Sequence, residues 1–433
     1  MRLCFAASLI SATIFLAGPW ALAATQVPQS DLEYRSRARE EFTAYYPAYE
    51  SSRPVRVKQA RALGKQVFQR AAAGQPSECS HQILNEIAWL LGYTADFKAV
   101  DRRLKDLENT LADPKLELAA AEQDPSDGSW GKCYTEWFFK LDASFDHLHQ
   151  LAESGQQPRY KLRFLDRINS PAKLSTYLTT VSISDIAHSG VDHRREFNES
   201  LADLLRLILH GVPPGYNLDP QLKPAILKLI LGDFRNPVTA WWGERYARGG
   251  GLQFVDDISI TFHVVRYLDG NVPDLGKVGE TALALKDIEY HVGWLEDGHY
   301  TDHNNMDAVV LFKYAWPFMK AEQKSALAAE IRKMLDWCLH DSLQADGSFK
   351  LNADDQESAE EQTYFGVAFL SRVGFFDKPE RFWTTEDFPQ AVEIKRRITS
   401  YILQRQSGGG AGGEYYRNAL ELMGEAPQKS LAK

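Results

Sequence analysis

The stretch GWLEDGHYTDHNNMDAVVLF, residues 293–312, packs Tyr300, Asp302, His303, Asn304, Asn305 and Asp307 into eight positions between a turn and an apolar run. A tyrosine or histidine can take a proton from carbon, and amide or guanidinium groups can steady the enolate-like charge that results. Tyr300 or His303 is the candidate proton carrier. Asn304 and Asn305 are candidate stabilisers, joined by Arg194 and Arg195 from VDHRREFNESL. A different chemistry needs two carboxyl groups flanking a scissile bond, about 6.5–9.5 Å apart when one activates a water. Glu136 in YTEWFF, Asp257 in QFVDDIS and Asp307 in NMDAVVLF are the candidates, each on a different helix.

The plainer role of such residues is structural. Asp, Asn and Glu in a first helical turn cap free N–H groups and meet the positive end of the helix dipole. Asp302 and Asn304 read as caps of a helix beginning near His303. Carboxylates inside apolar runs, such as Glu86 in LNEIAWLL, Glu136 and Asp307, are costly to bury without a partner, so each marks either a salt bridge or a site. Glu86 and His263 are candidate substrate contacts, as are Trp130, Trp241 and Trp242, whose rings can stack on sugars. Trp130 also suits wedging a turn between helices. His299 and His303 stand four apart with Asp302 and Asp307 near, a ligand spacing only if all lie on one helix. Gly298 and the YTD stretch leave His299 in the turn, so no metal and no cofactor are expected. No G-x-S-x-G nucleophile elbow occurs.

The elements that must position these residues are helical. HQILNEIAWLLGY (81–93), SLADLLRLILHG (200–211), AILKLILGDF (225–234), ISITFHVVRYL (258–268), DAVVLFKYAW (307–316) and SALAAEIRKMLDWCL (325–339) carry apolar residues at three- and four-residue steps. Strand alternation with hairpin signals is scarce. A glycine turn followed by a helix recurs at Gly74, Gly128, Gly190, Gly243, Gly298 and Gly347, at intervals of 49 to 62 residues. Each interval holds one helical hairpin. About six hairpins of similar length without a polar capping repeat predict a closed ring, with an open solenoid as the alternative.

Within this rhythm, Gln123, Gly128 and Trp130 form Q-x4-G-x-W, and Gln344, Gly347 and Phe349 form Q-x2-G-x-F. Both resemble the turn repeat of terpenoid cyclases and protein prenyltransferases. That resemblance implies an all-α fold, an α/α toroid of inner and outer helix rings, which also serves secreted polysaccharide lyases and glycosidases. The cyclase chemistry is poorly matched. Asp256 and Asp257 lack the first acid of a D-x-D-D motif, no D-D-x-x-D stands on a suitable helix, and Asp336 with Cys338 falls late in an outer helix. The Tyr300, His303 and Asn304 or Asn305 grouping resembles the lyase arrangements by residue type, which implies β-elimination on uronate-containing glycans.

Composition sets the remaining bounds. The chain has 433 residues, with 49 basic and 58 acidic side chains and a formal charge of −9. No long basic run occurs, which argues against nucleic acid and anionic membranes as partners. Arg2, an apolar run from about Leu3 to Leu16 and Ala21-Leu22-Ala23 read as a secretory signal peptide over residues 1–24, so the mature chain is expected in the periplasm or outside the cell without stable membrane insertion. Cys79, Cys133 and Cys338 then remain, enough for one disulfide and one free thiol. The expected organisation is a leader (1–24), an N-terminal extension (25–60), the toroid (61–405) and a Gly-rich link with a short helix and tail (406–433). The expected function is a polysaccharide lyase acting on an oligosaccharide or polysaccharide. A glycoside hydrolase, a non-catalytic glycan- or lipid-binding toroid and a terpenoid cyclase-like enzyme are the alternatives.

Overall fold

A computed structural model describes residues 34–117, 122–211, 215–351, 358–406 and 413–425. The leader, the start of the extension, Asp354, Asp355 and Glu357, the glycine run after 406 and the tail lie outside the described residues. Helices predominate. In chain order they are α1 (Tyr34–Tyr45), α2 (Pro47–Ala72), α3 (Glu78–Tyr93), α4 (Phe97–Ala112), α5 (Trp137–Ser154), α6 (Pro171–Val181), α7 (Arg194–Leu205) and α8 (Leu222–Lys228). They continue as α9 (Ile258–Tyr267), α10 (Leu275–Ala284), α11 (Asp302–Ala315), α12 (Ala321–Trp337), α13 (Ala359–Arg372), α14 (Ala391–Gln406) and α15 (Gly413–Leu422). α2 runs without a break across the boundary placed at residue 60. No helix among the described residues is long and apolar enough to cross a membrane.

Neighbours follow the chain in alternate steps: α5 packs on α7, α7 on α9, α9 on α11, α11 on α13 and α13 on α15. Several of these helices begin at one common end. Arg194 at the start of α7 holds Asp257 at the start of α9, and Gln362 in the first turn of α13 reaches Asp302 at the start of α11. The helix α3 runs the other way. Trp89 near its end meets Phe138 and Phe139 at the start of α5, while Glu78 at its own start lies within electrostatic reach of His147 midway along α5. A disulfide from Cys79 to Cys133 ties the start of α3 to the approach to α5.

The two glutamine–glycine turns work by backbone fit. The Gln123 amide donates to the carbonyls of Gly128 and Tyr160 and accepts from the Tyr160 N–H, which joins the turn to the next connection. Gly128 has φ +78°, and a Cβ there would stand 2.1 Å from the Lys161 carbonyl oxygen. Gly347, at φ +94°, would bring a Cβ to 2.5 Å from the Arg397 carbonyl oxygen.

The turn at Gly243 differs from the expectation of a glycine turn leading into a helix. Residues Gly243–Arg248 and Gly251–Asp256 form an antiparallel hairpin, β2 and β3, with the short β1 (Ile183–Ser184) parallel to β2. Gly249 and Gly250 both take positive φ at its tip, the backbone that a two-residue hairpin turn requires. The hairpin delivers Asp256 and Asp257 to the start of α9.

Candidate active site

The cluster at 300–307 is largely a joint between helices. Thr301 caps α11, accepting from the Asn304 N–H, where Asp302 and Asn304 were the expected caps. Asp302 is fully buried and accepts from Ser342, Gln362 and the Cys338 thiol, so it binds α11 to the turn after α12 and to α13. Tyr300 donates to Glu330 on α12 at 2.6 Å and packs edge-on against Trp337. Burial and Glu330 push its phenol upward, the wrong direction for a base. Asn304 donates to Glu296, and Asn305 is fully buried with neither amide atom hydrogen-bonded. Asp307 is buried within electrostatic reach of Arg266. His303 stacks on Phe365 at 3.8 Å and lies near His263, whose ring stacks on Tyr267. Burial, then Arg266 and His303, lower His263 to about 3, so it is neutral at physiological pH.

Other expected contacts are also structural. Arg194 is buried, gives Nε to Asp257 at 2.6 Å and lies over the Tyr290 ring, while Asp257 also caps α9 through the Ile260 N–H. Trp241 and Trp242 are completely buried and donate their indole N–H groups to the carbonyls of Val278 and Ile230, so neither offers a ring face to a sugar. Trp130 stacks on His147 at the edge of a small pocket. Asp336 and Cys338 do not converge as a metal pair, because the thiol is directed to Asp302. Among the described residues no group of three or more His, Cys, Asp or Glu side chains is placed to hold a metal ion.

Besides a cavity of about 320 Å³ along Arg266, Met306 and Tyr364, two others draw lining residues from α3, residues 134–136 and the first turns of α7. The outer cleft, about 900 Å³, contains Glu86, Glu136, His193 and Glu196. Glu86 is paired with Arg103 at 2.7 Å and accepts from Thr135. Glu196 meets His193 and Tyr177. Glu136 starts α5 without a side-chain cap bond, and burial with the charges of Glu86 and Glu196 raises its carboxyl above the ordinary range.

The inner cavity, about 570 Å³, is lined by Asn85 of α3, Tyr134, Asp142 of α5, Arg195 and Glu199 of α7 and Glu361 of α13, among others. Arg195 is the expected residue that faces it. Its Nε donates to Glu199 Oε1 at 2.6 Å and its Nη2 to Asn85, leaving Glu199 Oε2 without a hydrogen-bond partner. Asp142 is an exposed residue of this lining, and desolvation by the surrounding protein is the first cause of its carboxyl being pushed up to about 7, with Glu199 and Asp146 next. Asp203, one turn beyond Glu199, is raised by burial and by Asp142. Here the Asp142 carboxyl, raised toward neutrality, shares the cavity with the Glu199 carboxyl held by Arg195. Asp142 and Glu199 were absent from the sequence-based candidates, which favoured helix starts. The available signal was an acidic residue on the same face one turn from another, Asp142 with Asp146 and Glu199 with Asp203.

No family model, no curated protein and no solved structure matches the chain.

Proposed function

We propose that the chain is an exported α/α toroid that hydrolyses glycosidic bonds in the inner cavity, with Asp142 as proton donor and Glu199 as the base that activates water. The observation that carries this is two carboxyl groups lining one cavity, Asp142 raised toward neutrality and Glu199 bound by Arg195 through one oxygen. A general acid works best when its pKa lies near the working pH. The aromatic rings of Phe68, Tyr134 and Tyr415 on the same lining supply apolar faces for sugar rings. The toroid reading draws on the alternate packing of α5, α7, α9, α11, α13 and α15, on the meeting of the starts of α7 with α9 and of α11 with α13, and on the two glutamine–glycine turns. The disulfide favours an oxidising compartment, in keeping with the leader.

This reading moves the acid and base away from Glu136, Asp257 and Asp307. It also displaces the lyase chemistry, because the phenol of Tyr300 is raised and turned to α12, and Arg194 is consumed by Asp257. The test is release of new reducing ends from a panel of neutral, amino-sugar and uronate polysaccharides by the mature protein. Loss of that release in Asp142→Asn and Glu199→Gln, with both variants folded, is expected. Ultraviolet absorbance from unsaturated uronate products, persisting in those variants, overturns the hydrolase and restores the lyase. Binding without any product leaves a glycan-binding protein.

A further inference from the structure

The charge of the inner cavity selects among saccharides, and this step rests on the hydrolase reading only for the fate of the ligand, not for its binding. Four carboxyl groups line the cavity: Glu78, Asp142, Glu199 and Glu361. Arg195 is the only arginine or lysine among the lining residues, and it is already engaged by Glu199 and Asn85. His81 lends its Nδ1 to the Ser77 carbonyl. Behind this lining Asp203, 3 % exposed, keeps Oδ2 without a hydrogen-bond partner, while its Oδ1 lies 3.6 Å from Arg206, whose charge also reaches Asp142. So many carboxyl groups repel one another unless a proton or a cation comes between them.

The aromatic part of the lining points the same way. Phe68 is 44 % and Tyr415 37 % exposed, unusual for large rings beside a cavity, and Tyr134 has one face stacked on Phe139 with its hydroxyl accepting from Asn85. Ring faces beside carboxylates attract an ammonium group, through the ring quadrupole and through charge. A uronate brings a negative charge to the same place and meets, among the described lining residues, only Arg195, which is already engaged.

We infer that the inner cavity takes an ammonium-bearing saccharide, an oligomer of amino sugars with free amines, in preference to its N-acetylated or uronate counterparts. The experiment is calorimetric titration of the full-length mature protein with a glucosamine tetramer and with an N-acetylglucosamine tetramer, at a pH where the amine is protonated, with reducing-end release measured in parallel. The free amine is expected to bind about tenfold tighter or more. That preference should weaken as salt rises, and should shrink at least about threefold in Glu361→Gln and in Glu78→Gln. Equal or weaker binding of the free amine overturns the inference, and the wild-type comparison decides this even if a variant fails to fold. Cleavage of both oligomers without an amine preference keeps the hydrolase and removes the inference. Preferential binding of the amine without cleavage keeps the inference and removes the hydrolase.

Discussion

The start of α11 and the cavity-lining faces of α5 and α7 contain similar residue types and solve opposite problems. Around Asp302 and Tyr300 most polar groups meet protein: Ser342, Gln362 and Cys338 serve the aspartate and Glu330 takes the phenol, while Asn305 stays buried without a hydrogen bond. Around Asp142 several carboxyl groups line one cavity, with Asp203 and its partner Arg206 behind the lining. A buried polar group satisfied by the chain adds to stability, and one held short of partners is a reservoir for binding or catalysis. Polar density in the sequence does not separate these two cases. The partner map does.

The comparison breaks most clearly on activity. Asp142→Asn should lower turnover by about 10²–10⁴-fold, whereas His303→Ala and Tyr300→Phe should leave it within a few-fold; kinetic assay on folded variants checks both. If Tyr300→Phe silences the enzyme while Asp142→Asn does not, the two regions have been assigned in reverse. For the wild type, activity should fall as pH rises through about 7, because the donor loses its proton.

Stability effects come next. Arg194→Ala leaves Asp257 buried beside α9 without its cation and should cost about 3–5 kcal/mol in denaturant unfolding. Replacing Cys79 and Cys133 by alanine should cost about 2–4 kcal/mol, and should also loosen residues 134–136, which contribute to the lining of the outer cleft and the inner cavity. Tyr300→Phe removes one hydrogen bond to a buried glutamate and should cost only about 1 kcal/mol.

The smallest effect carries a sign that sharpens the contrast. A carboxyl whose folded pKa lies above its unfolded value contributes stability that is full below the unfolded value and is lost as pH rises through the folded one. Asp142 therefore strains the fold above about pH 7 and not near pH 4. Asp142→Asn should raise the thermal midpoint by about 2 °C at alkaline pH and change it little in acid, an effect kept small by the group's access to the cavity. A stabilisation that is larger in acid than in alkali contradicts the environment described for Asp142.

How much of this was legible depended on whether the signal was local. Helix periodicity and the Gln123–Gly128 and Gln344–Gly347 turns are short-range patterns, and they read correctly as helices joined by tight glycine turns. The paired glycines of RYARGGGLQF were equally local, but the helical rhythm on both sides masked a hairpin that alternates only over six residues in each strand. Of the carboxylates in apolar runs, Glu86 proved to be a salt bridge to Arg103, an alternative the sequence had left open. Asp142 and Glu199 were beyond local reading. Their importance comes from lining one cavity from helices far apart in the chain, and an acidic residue in mid-helix is ordinarily a solvated one.

Cys338 offers something of a different kind. Its thiol is fully buried, directed at Asp302, and raised far above the usual thiol range by burial and by that carboxylate, while the other described cysteines are joined in a disulfide. Only the thiolate reacts with alkylating reagents. Labelling of Cys338 therefore proceeds when α11, α12 and α13 part, and its rate is a clock for that opening. Followed with and without saccharide, the clock would report whether ligand beside Glu361 of α13 slows the parting of α13 from α11 and α12.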